Sequence, residues 1–183
     1  ALPISELVLK DYRNMVSVVS QDIYLFNSSI RDNICMYKEI DDKIVMEVCE
    51  NSGLSDFISE VSLDYVVGLN GAMLSGGQKQ KIALARALVQ NSPIVIFDEA
   101  TSNTDVYSEQ QINGLLHTKL KEKTVIIITH KHEILREADQ IILLKDGIVI
   151  GTGRYDDLIK SNVDFKDMIN TADRKSTRLN SSH

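Results

Sequence analysis

Several things that usually mark a class of protein are scarce here. There are two cysteines, Cys35 and Cys49, two prolines, no tryptophan and only 5% aromatic residues in 183. Two thiols in an acidic chain predict reduced, cytosolic cysteines and exclude a disulfide-stapled framework. No apolar run approaches the roughly 20 residues needed to cross a bilayer as a helix, and no secretory signal opens the chain. Positive charge is in deficit, with 20 Lys and Arg against 26 Asp and Glu and a formal net charge of −6. That balance argues against a dedicated nucleic-acid binder, whose phosphate contacts call for clustered basic residues. Internal repeats and low-complexity segments are also missing.

What is present suffices for one ordinary domain. At 43% apolar and 25% charged, the chain is too apolar for disorder and long enough for one core but not two comfortable ones. The ends read differently. The closing run Asp173-Arg174-Lys175-Ser176-Thr177-Arg178-Leu179-Asn180-Ser181-Ser182-His183 is polar and without apolar period. It resembles the translation of a common short-read sequencing adapter, and Ala1-Leu2-Pro3-Ile4 resembles the reverse complement of the same stem. Residues 1–4 and 173–183 are therefore set aside as suspected processing scars, leaving 5–172 as the domain to be read.

Hydrophobic periodicity predicts strands alternating with helices. Met15-Val16-Ser17-Val18-Val19 is β-branched and reads as a strand ending near Gln21. Residues 28–60 are helical in tendency: Asn27, Ser28 and Ser29 offer cap chemistry before Ile30, and Asp42–Asn51 carries Ile44, Val45 and Val48 as an apolar face. Helices are also predicted over 54–59, after Leu74–Gln78 through Val89 and over 108–120, the last with Ile112, Leu115, Leu116 and Leu120 inward. Ile94–Phe97 and Val125–Ile128 are continuous apolar runs of the kind that buried parallel strands require. Beyond a short helix at 132–137, Lys145-Asp146-Gly147 signals the turn of an antiparallel hairpin between 141–144 and 148–150. A helix over 155–160 follows. The pattern is that of an α/β domain with a mainly parallel sheet and a helical insertion.

Three clusters carry chemistry. Leu74-Ser75-Gly76-Gly77-Gln78 opens a helix, where glycines let the backbone approach an anion and free N–H groups point at it. Ile94–Phe97 runs straight into Asp98-Glu99, and carboxylates at the C-terminal end of a parallel strand sit where such sheets bind ligands. The first acid suits a hard cation such as Mg²⁺, and the second suits a base acting on water. His130 follows the next apolar strand and emerges on the same edge, while Gln21 just past the first strand offers a carbonyl oxygen.

These residues together resemble the ATP-binding cassette ATPases, in family order. Residues 74–78 are similar to the signature motif, 94–99 to the Walker B strand with its glutamate, and 102–105 to the D-loop. Residues 125–130 resemble the switch strand with its histidine, and 18–21 the Q-loop. The resemblance implies a P-loop NTPase-like fold with a helical signature subdomain at about 22–92. It implies that Asp98 and Gln21 hold Mg²⁺, that Glu99 is the base and that His130 contacts the γ-phosphate. Ser75, Gly76, Gly77 and Gln78 would bind ATP held mainly by an opposite subunit, and Asp105 would link the two sites of a head-to-tail dimer. The stretch from Gln21 to Ile34 looks like the exporter type, whose transmembrane domain docks coupling helices there. Val67-Gly68-Leu69-Asn70-Gly71 resembles the exporter X-loop, with leucine where the family usually has glutamate. The parent protein would then be an export ATPase at the cytoplasmic face of the cell membrane.

No Gly-x-x-x-x-Gly-Lys-Ser/Thr loop occurs in the sequence, and that loop supplies most of the phosphate grip in this chemistry. The chain is accordingly expected to be an incomplete cassette, inactive alone, with apolar sheet surface left exposed. Two alternatives stay open at this point. One is a cassette ATPase of DNA repair or translation, and the other is an inactive interaction fragment. The short stretch between Gln21 and Ser75 speaks against chromosome-type members, which insert a long coiled coil there.

Overall fold

The computed structural model describes residues 8–99, 113–129 and 132–180. They form two compact units, 1–128 and 129–183. The first opens with α1 (Leu9–Met15), which buries none of its residues and leads into β1 (Val16–Ser20). Sequence periodicity did not anticipate α1, because periodicity registers only helices with a covered face.

Side-chain caps set the next helices. In α2 (Ile30–Cys35), Ser29 Oγ accepts from Asp32 N–H at 3.0 Å and the Asp32 carboxylate accepts from Ser29 N–H. Hydrogen bonds from Ser28 and Ser29 hold the Asp32 carboxyl below the usual range. Asp41 caps α3 (Asp42–Asn51) through Lys43 N–H at 2.8 Å. Here one expectation needs correction. Val45, Val48 and Cys49 form the buried stripe, at the i, i+3, i+4 spacing of one helix face, whereas Ile44 lies off it and is 48% exposed. The helix α4 (Ser55–Val61) follows, then a 3₁₀ turn at Leu69–Gly71 and the long α5 (Gly76–Gln90).

Helix α5 lies between two apolar clusters. Ile82 and Ala85 join Ile30, Ile34, Val45, Cys49 and Leu54 in a helical core. Ala83, Leu84 and Ala87 pack instead with Val19, Val95 and Phe97 of the sheet. That sheet is β1, β2 (Ile94–Asp98) and β3 (Thr124–Ile128), in the order β1-β2-β3 and all parallel. Residues 113–117 are helical, and Leu115 and Leu120 are buried on the α5 side. Residues 118–120, expected to be helical, form a turn instead, and the expected helix up to position 112, with Ile112, lies outside the described residues.

β3 is not the fully buried strand that its apolar run suggests. Ile126 and Ile128 are 48% and 50% exposed, and in the same sheet Val18 is 55% exposed. One sheet face is packed beneath α5, and the other is open among the described residues. Apolar surface was expected to stay exposed, and it does.

In the second unit, α6 (His132–Glu137) precedes the antiparallel hairpin β4 (Ile141–Lys145) and β5 (Ile148–Gly153). Asp146 and Gly147 both have left-handed φ, 52° and 77°, the requirement of a two-residue turn whose twist matches the strands. Helices α7 (Tyr155–Ser161) and α8 (Val163–Asn180) complete the unit. Fully buried Phe165 meets Tyr155 edge-on, 5.6 Å between ring centroids. Asn162 donates to Ile150 C=O and accepts from Phe165 N–H, both at 2.9 Å. The sequence did not suggest α8, whose backbone stays helical through residues 173–180 of the polar closing run.

Candidate functional site

The register of the parallel sheet aligns Ser20 with Asp98 and Asp98 with Ile128 in one row. Gln21 and Glu99 are the next residues outward on β1 and β2, so three of the predicted site residues share the C-terminal edge of two adjacent strands. Strands about 5 Å apart bring them within reach of one small ligand. Gln21 and Asp98 are exposed there and Glu99 is half-buried. Glu99 has a left-handed φ of 46°, unusual for a residue with a side chain. Its N–H donates to Ile128 C=O at 3.1 Å, so the chain turns sharply off β2 while staying tied to β3. Asp105 and His130 lie outside the described residues.

The other predicted cluster starts α5. Ser75 Oγ accepts from Gln78 N–H at 3.2 Å, and Gln78 Oε1 accepts from Ser75 N–H at 2.8 Å. Lys79 N–H goes to Ser75 C=O. The Gly76 and Gly77 N–H groups have no acceptor among the described residues. A Cβ added at either glycine would meet nothing within 4 Å. Neither glycine is therefore demanded by packing within this chain. Two outward N–H donors at the positive end of a 15-residue helix form a ready anion site.

Sequence reasoning missed residues that brace the segment just after Gln21. Arg86 reaches from α5 to Asn33 C=O (Nε, 2.8 Å) and Tyr24 C=O (Nη1, 3.1 Å), and burial lowers its pKa. Its signal was legible, as the one charge within the apolar stretch 82–89. Asn33 is completely buried. Near it, Tyr24 and Tyr37, 62% and 63% exposed, flank Phe26 with ring centroids 5.6 and 5.7 Å away. Met36 and Tyr37 are both left-handed, a local strain that turns Tyr37 back toward Phe26. An open hollow of about 590 Å³ beside α2, lined by Arg31, Cys35 and Tyr37 among others, includes none of the predicted site residues.

Among the described residues no group of three or more His, Cys, Asp or Glu could hold an ion alone. The oxygen donors at the strand ends are sparse: Asp98 and Gln21, with the Glu99 carboxylate beside them. That set fits Mg²⁺, which keeps several waters and takes one or two carboxylates beside phosphate oxygens. No helix among the described residues is long and apolar enough to cross a membrane.

Comparison with known proteins bears on the family and the fold. The family model described as "ABC transporter" matches residues 3–102. The ATP-dependent lipid A-core flippases of Escherichia coli (strain K12) and Shigella flexneri are 38% identical over 159 residues, 85% of this chain and 27% of each flippase. The chain thus spans little more than a quarter of the relatives it matches. A solved structure of a bacterial Atm1-family ABC exporter with ATP bound has a TM-score of 0.87 at 31% identity. It covers 92% of this chain and 30% of that one. With the signature turn, the acidic strand end and the parallel sheet in one order along the sequence, this chain belongs to the ABC transporter family.

Proposed function

We propose that this chain is part of the ATP-hydrolysing cassette of an exporter at the cytoplasmic face of a membrane. The observation that carries the reading is the shared row Ser20–Asp98–Ile128, which brings Gln21, Asp98 and Glu99 to one sheet edge. In this reading Asp98 and the Gln21 carbonyl hold Mg²⁺. Held there, Mg²⁺ would supply charge neutralisation for the transferred phosphoryl group. Glu99 orients and deprotonates the attacking water, and His130 contacts the γ-phosphate. Ser75, Gly76, Gly77 and Gln78 face the nucleotide of a second cassette in a head-to-tail dimer, with Asp105 between the two sites. The outward N–H groups of Gly76 and Gly77 support that role.

The stretch from Gln21 to Ile34 receives a transmembrane domain. Its exposed Tyr24 ring, stacked edge-on against half-buried Phe26, suits an apolar helix end. The test is ATP hydrolysis by the complete transporter carrying this cassette. Glu99→Gln is expected to lower turnover at least ~100-fold, the scale of removing a positioned general base, while ATP still binds. Turnover equal to the parent protein would overturn the assignment.

A further inference from the structure

Residues 23–26 belong to no helix or strand, yet their main chain is held almost as a sheet would hold it. Tyr24 C=O accepts from Arg86 Nη1 at 3.1 Å, and Leu25 N–H donates to Asn70 Oδ1 at 3.3 Å. Phe26 N–H donates to Asn33 Oδ1 at 2.8 Å, and Phe26 C=O accepts from Asn33 Nδ2 at 3.0 Å. Three side chains from three parts of the fold take the place of a neighbouring strand.

Both asparagines are in turn tied to α5. Arg86 Nε donates to Asn33 C=O at 2.8 Å, and Lys79 Nζ donates to Asn70 C=O at 2.9 Å. Lys79 and Arg86 are seven residues apart, two turns of one helix face and about 10 Å along its axis. The turn between them and the segment has no slack: a Cβ at Gly71 would lie 2.8 Å from Leu25 Cδ1 and 3.1 Å from Lys79 Cε. A loop solvated by water would yield under load. One whose carbonyls and amides end on a helix passes the load to that helix.

We infer that Lys79 and Arg86, acting through Asn70 and Asn33, are positioning residues. They join the aromatic segment 24–26 to α5 at two points, so that displacement of the segment moves the Ser75–Gln78 turn with it. The functional meaning rests on the proposed docking role of that segment, whereas the clamp itself does not.

The test compares Arg86→Lys, Asn70→Ala and the core control Val45→Ala in the complete transporter. Lysine keeps the charge but cannot bridge two carbonyls with one planar fork. Hydrogen exchange at the amides of Leu25 and Phe26 is expected to rise about tenfold in both clamp variants, as for loss of one hydrogen bond to a constrained segment. Cargo moved per ATP hydrolysed is expected to fall, with basal hydrolysis retained. Val45→Ala should speed exchange broadly and leave that ratio alone. Unchanged exchange over 24–26, or an unchanged ratio of cargo to ATP, would overturn the inference. Exchange needs no transport, so it decides the clamp even where Glu99→Gln has overturned the functional reading.

Discussion

Ser75 and Gln78 cap each other: the serine hydroxyl accepts from the Gln78 amide at 3.2 Å, and the glutamine carbonyl accepts from the Ser75 amide at 2.8 Å. The box fixes the first turn of α5 and leaves its two intervening glycines facing open space. The box satisfies two of the donors that a helix start leaves over, and the two that remain, on Gly76 and Gly77, have no acceptor among the described residues.

That arrangement separates stability from activity at Gly77. Alanine there meets no atom of this chain and replaces a helical glycine, so stability should hold or rise by up to about 1 kcal/mol. In the proposed role of this turn, the same Cβ in the complete transporter would stand where a phosphate approaches the backbone. Gly77→Ala should lower ATP turnover at least ~10-fold, the factor carried by about 1.4 kcal/mol of lost transition-state stabilisation. A urea melt of the variant beside its turnover checks both halves, and a variant both stable and fully active would remove Gly77 from the site.

The 183-residue chain taken alone should not bind ATP with micromolar affinity. Its sequence carries the signature turn and the acidic strand end but no Gly-x-x-x-x-Gly-Lys-Ser/Thr loop, whose amides and lysine grip the phosphates. Isothermal titration of ATP with Mg²⁺ into the chain gives the answer directly. A micromolar dissociation constant would mean that the outward N–H groups of Gly76 and Gly77 bind far more strongly than two helix-end donors should.

How far the sequence carries is clearest at particular residues. The strand ends were legible because a short apolar run stopping abruptly at Asp98-Glu99 marks where a buried strand surfaces. The Asp146-Gly147 turn was legible because left-handed φ values close such a hairpin. Ser29 was one of three cap candidates before Ile30, and its side chain is the one that caps α2, whereas the capping role of Ser75 came only with the structure. Ile126 could not be read as exposed. A run of four apolar residues says that both faces of β3 are apolar, and it cannot say which neighbour covers them. Arg86 and Asn33 were missed for a related reason, since Arg86 meets its partners 53 and 62 residues away and no local pattern reports a distant carbonyl. The closing helix α8 lies partly in a run without apolar period, where propensity alone had to decide.

Cys49 predicts an alkaline limit. Burial pushes its thiol from 9.0 up to about 11, with Cys35 nearby acting in the same direction. Well below pH 9 the thiol is neutral in both folded and unfolded chains, so its full contribution to stability is present. Between about pH 9 and 11 the unfolded thiol ionises first, unfolding releases a proton and stability falls as pH rises. Native Cys49 should therefore resist alkylation by iodoacetamide at about pH 8 and react once urea unfolds the chain. Equal labelling rates with and without urea would show that the thiol is not enclosed. Cys49→Ala should flatten the loss of stability between about pH 9 and 11.

The two faces of the parallel sheet should respond oppositely to substitution. Phe97 is 1% exposed beneath α5, and Phe97→Ala should cost about 3–5 kcal/mol through lost transfer energy and an unfilled cavity. Ile126 points to the open face at 48% exposure. Ile126→Thr keeps the β-branched shape that a strand favours and should change stability of the chain alone by less than about 1 kcal/mol. It should also reduce aggregation measured by light scattering, because it breaks the apolar row of Val18, Ile126 and Ile128. The outcome should differ in the complete transporter. Residues outside this chain would there cover the face, and threonine would bury a hydroxyl without a partner, at a cost of about 1–3 kcal/mol. Thermal midpoints of the variant in both settings decide the matter. A loss only in the complete protein means that the face is interior there, and no loss in either setting means that it stays open to water.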